Sequence, residues 1–270
     1  MPHLTNREAE IYYEVHGEGP VLVFAHGMGG NHLSWWQQVP AFVRRGYQVV
    51  SFDHRGFGRS TCPPDHFHPL HFPEDLFAIL DALGAERAAL VCQSMGGWSG
   101  LPAAVRTPER VAALVLCDTP GGLATPKVAE ARQRIAEQLG GGPPRGNAAL
   151  APDYPEREPE LAFLYDQINA MNPGLELAAL AKFGDPEAQL QEAALAGFTV
   201  PTLMLVGEQD QLFPPEVLRD VAAHIPGAEV VDFPGIGHST YFEDAARFNR
   251  IVADFLAKHF PAAAAARLGG

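Results

Sequence analysis

Only three cysteines, Cys62, Cys92 and Cys117, occur in 270 residues. So few and so scattered, they exclude a disulfide scaffold and a C-x-x-C metal site and point to a reducing compartment. Long apolar runs are missing too: nowhere do about 18 apolar residues follow one another, so no membrane-spanning helix is expected. The opening MPHLTNREAE is polar and carries no signal-peptide core, which predicts a cytoplasmic protein. Cations are scarce, with 19 Lys and Arg against 32 Asp and Glu and a formal charge of -13. That balance opposes phosphate backbones and anionic lipid, so neither a nucleic acid nor a membrane is an expected partner. Charged residues at 19% and hydrophobic ones at 47% leave an ordinary globular protein, long enough at 29.1 kDa for one sizeable core with an inserted segment.

Short runs rich in Val, Leu and Phe, bounded by turn residues, are what strands buried on both faces look like. They predict strands over 9–15, 20–25, 48–52, 88–92, 111–117, 201–206 and 229–233. Helical patterns lie between most of them, over 73–83, 95–106, 214–224 and 241–260. Strand and helix in alternation predict an α/β protein with a mostly parallel, doubly wound sheet flanked by helices. The first two strands are joined by HGEGP, too short for a crossover helix, so an antiparallel hairpin at the sheet edge is expected there. After Asp118 the alternation stops for roughly eighty residues, a span rich in Pro and Gly with helical stretches at 127–139 and 160–169. Core residues 1–120 and 199–260 with an inserted helical cap over 121–198 are the predicted organisation, and 261–270, with five successive alanines, reads as a tail.

Chemistry gathers at the ends of these strands. Cys92-Gln93-Ser94-Met95-Gly96-Gly97 follows a strand and opens a helix, where a serine can be held on a sharp turn that tolerates only small neighbours. Gly96 meets that need on one side. Cys92 stands where G-x-S-x-G would have its first glycine, and is small enough to fit. The competing reading of Ser94 is a plain helix N-cap. The Met95 amide, at the helix start, is placed to bind an oxyanion. His26-Gly27-Met28-Gly29-Gly30, after another strand, offers the Met28 amide as a second donor. A serine hydroxyl needs a base, and His238, flanked by glycine in Gly235-Ile236-Gly237-His238 beyond the last strand, is the candidate among eleven histidines. Asp210, after the penultimate strand, is the acid that would orient it, with Asp118 its rival. His66, His68 and His71 crowd one stretch, which a surface loop explains better than a metal site.

Taken together and in this order, these segments resemble the α/β-hydrolase superfamily over nearly the whole chain. HGMGG matches the oxyanion loop, Asp53-His54-Arg55-Gly56-Phe57-Gly58-Arg59-Ser60 the D-x-R-G-x-G-x-S loop, QSMGG the nucleophile elbow, GEQD the acid and GHSTYFED the histidine. The length and modest cap look like the esterase, enol-lactonase and cofactor-free perhydrolase branch. The resemblance implies a Ser94–His238–Asp210 triad cleaving a small ester or lactone through an acyl-enzyme, without metal or organic cofactor. By the same likeness the Asp53–Ser60 loop is a structural turn whose charges pair locally. Trp35, Trp98, Leu123 and Phe163 are candidate pocket residues, beside Trp36, Leu164 and Met171. Three other activities remain open: C–C bond hydrolysis of a vinylogous diketone, for which Arg132, Arg134 or Arg157 would receive a carboxylate; perhydrolysis; and ligand reception without turnover.

Overall fold

The structure, a computed structural model, describes residues 2–138, 149–174 and 177–262. Parts of the expected cap and residues 263–270 of the expected tail lie outside it. Eight strands form one sheet: β1 (His3–Asn6), β2 (Ala9–His16), β3 (Val21–Ala25), β4 (Gln48–Phe52), β5 (Ala88–Gln93), β6 (Val111–Cys117), β7 (Thr202–Gly207) and β8 (Glu229–Phe233). Their order across the sheet is β1-β2-β4-β3-β5-β6-β7-β8. From β4 to β8 all neighbours are parallel, while β2 runs antiparallel to both β1 and β4. The helices are α1 (Gln38–Val43), α2 (Phe72–Ala82), α3 (Gly97–Arg106), α4 (Pro126–Gln138), α5 (Tyr154–Arg157), α6 (Pro159–Ala170), α7 (Leu177–Ala181), α8 (Pro215–His224), α9 (Thr240–Glu243) and α10 (Ala245–His259). Among the described residues no helix is long and apolar enough to cross a membrane.

Strand residues alternate between two cores, as the pleat requires. In β3 and β5, Val21, Val23, Ala25, Leu90 and Cys92 join one apolar cluster, together with side chains of α2, α3 and α8. Leu22, Phe24, Ala89 and Val91 join the other, together with side chains of α1 and α10. Both faces are therefore dry, which is why these strands read as continuous apolar runs rather than alternating ones.

The expected hairpin is corrected. β2 does not pair with β3; β4 lies between them. The HGEGP connection instead crosses the start of β4, with Gly17 and Gly19 at φ +76° and +121°. A β-carbon on Gly17 would stand 2.8 Å from the Tyr47 carbonyl, and one on Gly19 would strike the Gly46 carbonyl. The glycines thus let backbone pass over backbone. β2 finds its hairpin partner in β1, across a tight turn at Arg7 and Glu8, both at positive φ. The expected helix over 241–260 is broken at Asp244, whose carboxylate accepts from the Arg247 amide at 3.1 Å and starts α10 afresh.

Candidate active site

β5 delivers Ser94 to the carboxyl edge of the sheet. Its φ of +48° is a left-handed conformation that costs a non-glycine residue about 1–3 kcal/mol and persists only where the surroundings enforce it. Two features enforce it. The Thr119 hydroxyl donates to the Ser94 carbonyl at 2.6 Å. Gly96 packs directly on the end of β3, where a β-carbon would collide with the Ala25 carbonyl. Cys92 is fully buried, and its sulfur faces Gly100 on α3, the glycine whose missing side chain makes room for it. Small residues are therefore still needed on both sides of the turn, but on the cysteine side the space comes from the facing helix.

The three far-apart side chains converge. Ser94 Oγ is 2.8 Å from His238 Nε2, and His238 Nδ1 is 2.8 Å from Asp210 Oδ2. Asp210 Oδ1 accepts from the Leu212 and Phe213 amides at 2.8 and 2.9 Å, which fixes the carboxylate against the imidazole. Burial by itself lowers the His238 pKa; the charge and hydrogen bond of Asp210, joined by the charges of Asp118 and Glu243, outweigh it, and the net shift is upward.

Asp118 occupies a different place. Fully buried at φ +51°, it accepts from the Gly207 amide at 2.8 Å and from the Thr240 hydroxyl and amide at 2.7 and 3.2 Å. It joins the end of β7 to the segment after His238 and makes no hydrogen bond to the imidazole. Burial first, and then the charge of Asp210, push its carboxyl upward.

The Gly27–Gly30 loop lies against the elbow. A β-carbon on Gly27 would collide with Gln93 Oε1 and stand 3.0 Å from Ser94 Cβ. The Met28 and Met95 amides therefore belong to two segments that meet beside Ser94. His26 is structural: Nδ1 lies 2.7 Å from the Gly27 carbonyl, Nε2 accepts from the His54 amide at 3.0 Å, and burial pushes its pKa down to about 4.

Charges of the Asp53–Ser60 turn pair at longer range than expected. Asp53 holds the His32 ring at 2.8 Å, and Arg55 forms a fully buried pair with Asp75 at 2.6 Å. His66, His68 and His71 each face a separate carboxylate, on Glu8, Asp185 and Glu74, and no metal-binding group occurs among the described residues.

The candidate pocket residues divide. Trp98, one turn beyond Ser94, packs edge-on against Phe183 at 5.5 Å, and its indole N–H has no acceptor among the described residues. Leu123 is buried in the same cluster and bridges to Leu190. Trp35 requires correction: it is sealed in the opposite core between Phe24 and Tyr241, 4.8 and 4.6 Å away, because the turn after the loop directs it down onto the sheet. Phe163 is also corrected, being 66% exposed on the outer face of α6, with Met171 and Trp36 exposed as well. Leu164 packs at the margin of the core.

Three contributors have no signature in the sequence. Gln93 donates to the His238 carbonyl at 2.9 Å. Glu243 accepts from the Gly237 and Ala151 amides at 3.1 and 3.0 Å, and burial pushes its pKa up to about 7. Tyr165 of α6 lies 3.1 Å from the Ser239 hydroxyl. Only the position of Gln93 next to the serine, and of Glu243 five residues after the histidine, could have drawn attention to them.

Comparison with known proteins gives consistent relatives. A family profile described as "alpha/beta hydrolase fold" matches residues 20–245. The chain is 31% identical over 260 residues to "Putative carbamate hydrolase RutD" of Variovorax paradoxus, covering 92% of this chain and 96% of that protein. It is 32% identical over 263 residues to 2-hydroxymuconate semialdehyde hydrolase of a Pseudomonas species, covering 90% and 88%. Among solved structures, the enol-lactonase of Burkholderia xenovorans superposes with a TM-score of 0.78 at 25% identity, covering 95% of this chain and all of that one.

Proposed function

The chain belongs to the alpha/beta hydrolase fold family and is a hydrolase, and from that premise we propose that it is a serine hydrolase of small carboxylic esters or lactones. The observation that carries the proposal is the unbroken line of hydrogen-bonding atoms from Ser94 Oγ through His238 to Asp210, 2.8 Å at each link. In this mechanism Ser94 Oγ attacks the carbonyl carbon as His238 Nε2 takes its proton. Asp210 holds the imidazole with Nδ1–H pointing at its carboxylate and stabilises the imidazolium. The Met28 and Met95 amides receive the oxyanion. Collapse of the tetrahedral intermediate expels the alkoxide with the proton from His238, leaving Ser94 acylated. Water then gives its proton to His238 and repeats the sequence, releasing the acid. No step draws on a metal or organic cofactor.

Residues 121–198 act as a cap in this reading. The support is their placement: Tyr165 reaches Ser239, and Asn169 lies 3.5 Å from where a β-carbon of Gly29 would be. Trp98 and Leu123 line the acyl or alcohol pocket beneath it. A hydrolysis screen over acyl lengths, lactones and carbamates, run beside Ser94→Ala, tests the proposal. Turnover of an ester or lactone that vanishes in Ser94→Ala supports it; undiminished turnover in that variant overturns it.

One observation favours a second reading, C–C bond hydrolysis of a dienoate ketone. Arg132 on α4 is partly buried, its guanidinium 3.1 Å from where a β-carbon of Gly184 would stand, and no acceptor meets it among the described residues. A substrate carboxylate would supply that acceptor. Arg157, by contrast, is engaged by Asp153 at 2.9 Å, and Arg134 is exposed. Including a dienoate ketone in the screen decides between the two readings.

A further inference from the structure

The loop that carries Met28 is held from the inserted segment. Asn172, two residues beyond α6, donates from Nδ2 to the Gly30 carbonyl at 3.0 Å, while its Oδ1 accepts from the Gly58 amide at 3.1 Å. Asn31 reaches back, with Nδ2 2.9 Å from the Ile168 carbonyl and 3.4 Å from Asn172 Oδ1. A β-carbon on Gly29 would stand 3.5 Å from the Asn169 amide and 3.7 Å from the Tyr165 hydroxyl. Residues 29–31 thus lie between the turn at Gly58 and the end of α6, and one side chain bonds to both. The position suits asparagine on chemical grounds. It must offer a donor and an acceptor from the same planar group; aspartate would set an anion against the Gly30 carbonyl, and leucine would leave both backbone groups unmatched.

Resting on the reading above, we propose that Asn172 is a positioning residue for the oxyanion donor at Met28, so that the inserted segment sets the geometry of the hydrolytic step as well as covering the substrate. An oxyanion donor acts only when it lies about 3 Å from where the charge develops, and an error of about 1 Å can cost a hundredfold in rate. One residue, Gly29, separates Met28 from Gly30, and Gly30 in turn donates from its amide to the Gly27 carbonyl at 2.9 Å. A shift at the Asn172 contact is thereby transmitted to the intervening amide.

The test uses the full chain as wild type, Asn172→Ala and Asn172→Asp, with a short-chain aryl ester as substrate and an alkyl trifluoromethyl ketone as inhibitor. That ketone adds Ser94 Oγ to its carbonyl carbon, sends the hydroxyl proton to His238 and places its oxyanion in the hole. The expected result is kcat lower by about 10- to 100-fold with KM within threefold, and trifluoromethyl ketone affinity lower by the same factor as kcat. A general loosening of the cap would raise KM and leave the ratio of inhibition to kcat changed. Unchanged kcat and inhibition, or a change confined to KM, overturns the inference. Should Asn172→Ala fail to fold, Asn172→Asp carries the test, since it keeps the acceptor for Gly58 and replaces the donor to Gly30 with a repelling oxygen. Ser94→Ala separates the two claims: if that variant keeps its turnover, the hydrolytic reading falls. If it is inactive while both Asn172 variants behave as wild type, only this inference falls.

Discussion

Among the described residues two histidine–carboxylate pairs have both side chains buried, one at the antiparallel end of the sheet and one at its parallel carboxyl edge. His32 Nδ1 lies 2.8 Å from Asp53, and His238 Nδ1 lies 2.8 Å from Asp210; all four side chains are buried. Both carboxylates also accept two backbone amides, from His32 and Arg59 in one case and from Leu212 and Phe213 in the other. The pairs differ on the far side of the ring. His238 Nε2 meets Ser94 Oγ, whereas the buried Nε2 of His32 has no hydrogen-bond partner among the described residues and sits 3.8 Å from Glu14 beside the Tyr12 ring. An oriented imidazole thus occurs twice, and in the proposed reading it serves as a base only where a strained turn brings a hydroxyl to its second nitrogen.

Removing that hydroxyl should break the contrast most completely. Ser94→Ala is expected to lower kcat for ester hydrolysis by about 10⁶ without altering the pairing of His238 and Asp210. The next test exchanges the two acids. Asp210→Asn should lower kcat by about 10⁴, because the amide favours the wrong tautomer. Asp53→Asn should instead act on folding, costing about 3 kcal/mol in denaturant unfolding, since it leaves buried groups unmatched. If the two substitutions had the same effect on turnover, the distinction drawn here would be wrong.

The pH dependence sharpens the comparison. His238 must be neutral to accept a proton, and its pKa is raised above the ordinary 6.5 because Asp210, together with the charges of Asp118 and Glu243, outweighs the effect of burial. The acid limb of kcat/KM should therefore have its midpoint above 6.5 in the wild type. Any activity left in Asp210→Asn should show it moved downward, as burial is then opposed only by the charges of Asp118 and Glu243. A wild-type midpoint below 6.5 would contradict the assignment of the base. The smallest effect belongs to the silent side of the other pair. Glu14 is partly exposed, so Glu14→Gln should change stability by about 1 kcal/mol at most and leave the pH profile of turnover unaltered.

The sequence made the chemistry more legible than its supports. Strands β4, β6 and β8 fall on their expected spans because valine-containing runs end sharply at turn residues, even in β8, which is the sheet edge and largely exposed. Ser94, His238 and Asp210 could be read because each follows such a run. β1 was missed, having one apolar residue, Leu4, among its four. Strand neighbours were misread at β2 and β3, since a connection's length limits which strands pair without saying which strand fills a gap. Trp35 and Phe163 show the same limit for pockets: apolarity marks a side chain for contact, but whether that contact is with the sheet, with substrate or with neither depends on the face its element presents. Gln93, Thr119, Asn172 and Glu243 act through backbone groups distant in sequence, and polar residues of that kind leave no periodic signature.

The placement of β4 between β2 and β3 has a consequence for how the chain is made. On the ribosome, the β1–β2 ribbon emerges before β4, the strand through which, among the described residues, it joins the rest of the sheet. Docking of the ribbon therefore waits until β4 has been made. A chain lacking its first sixteen residues would leave β4 as a bare edge, with unpaired amides and carbonyls open to self-association.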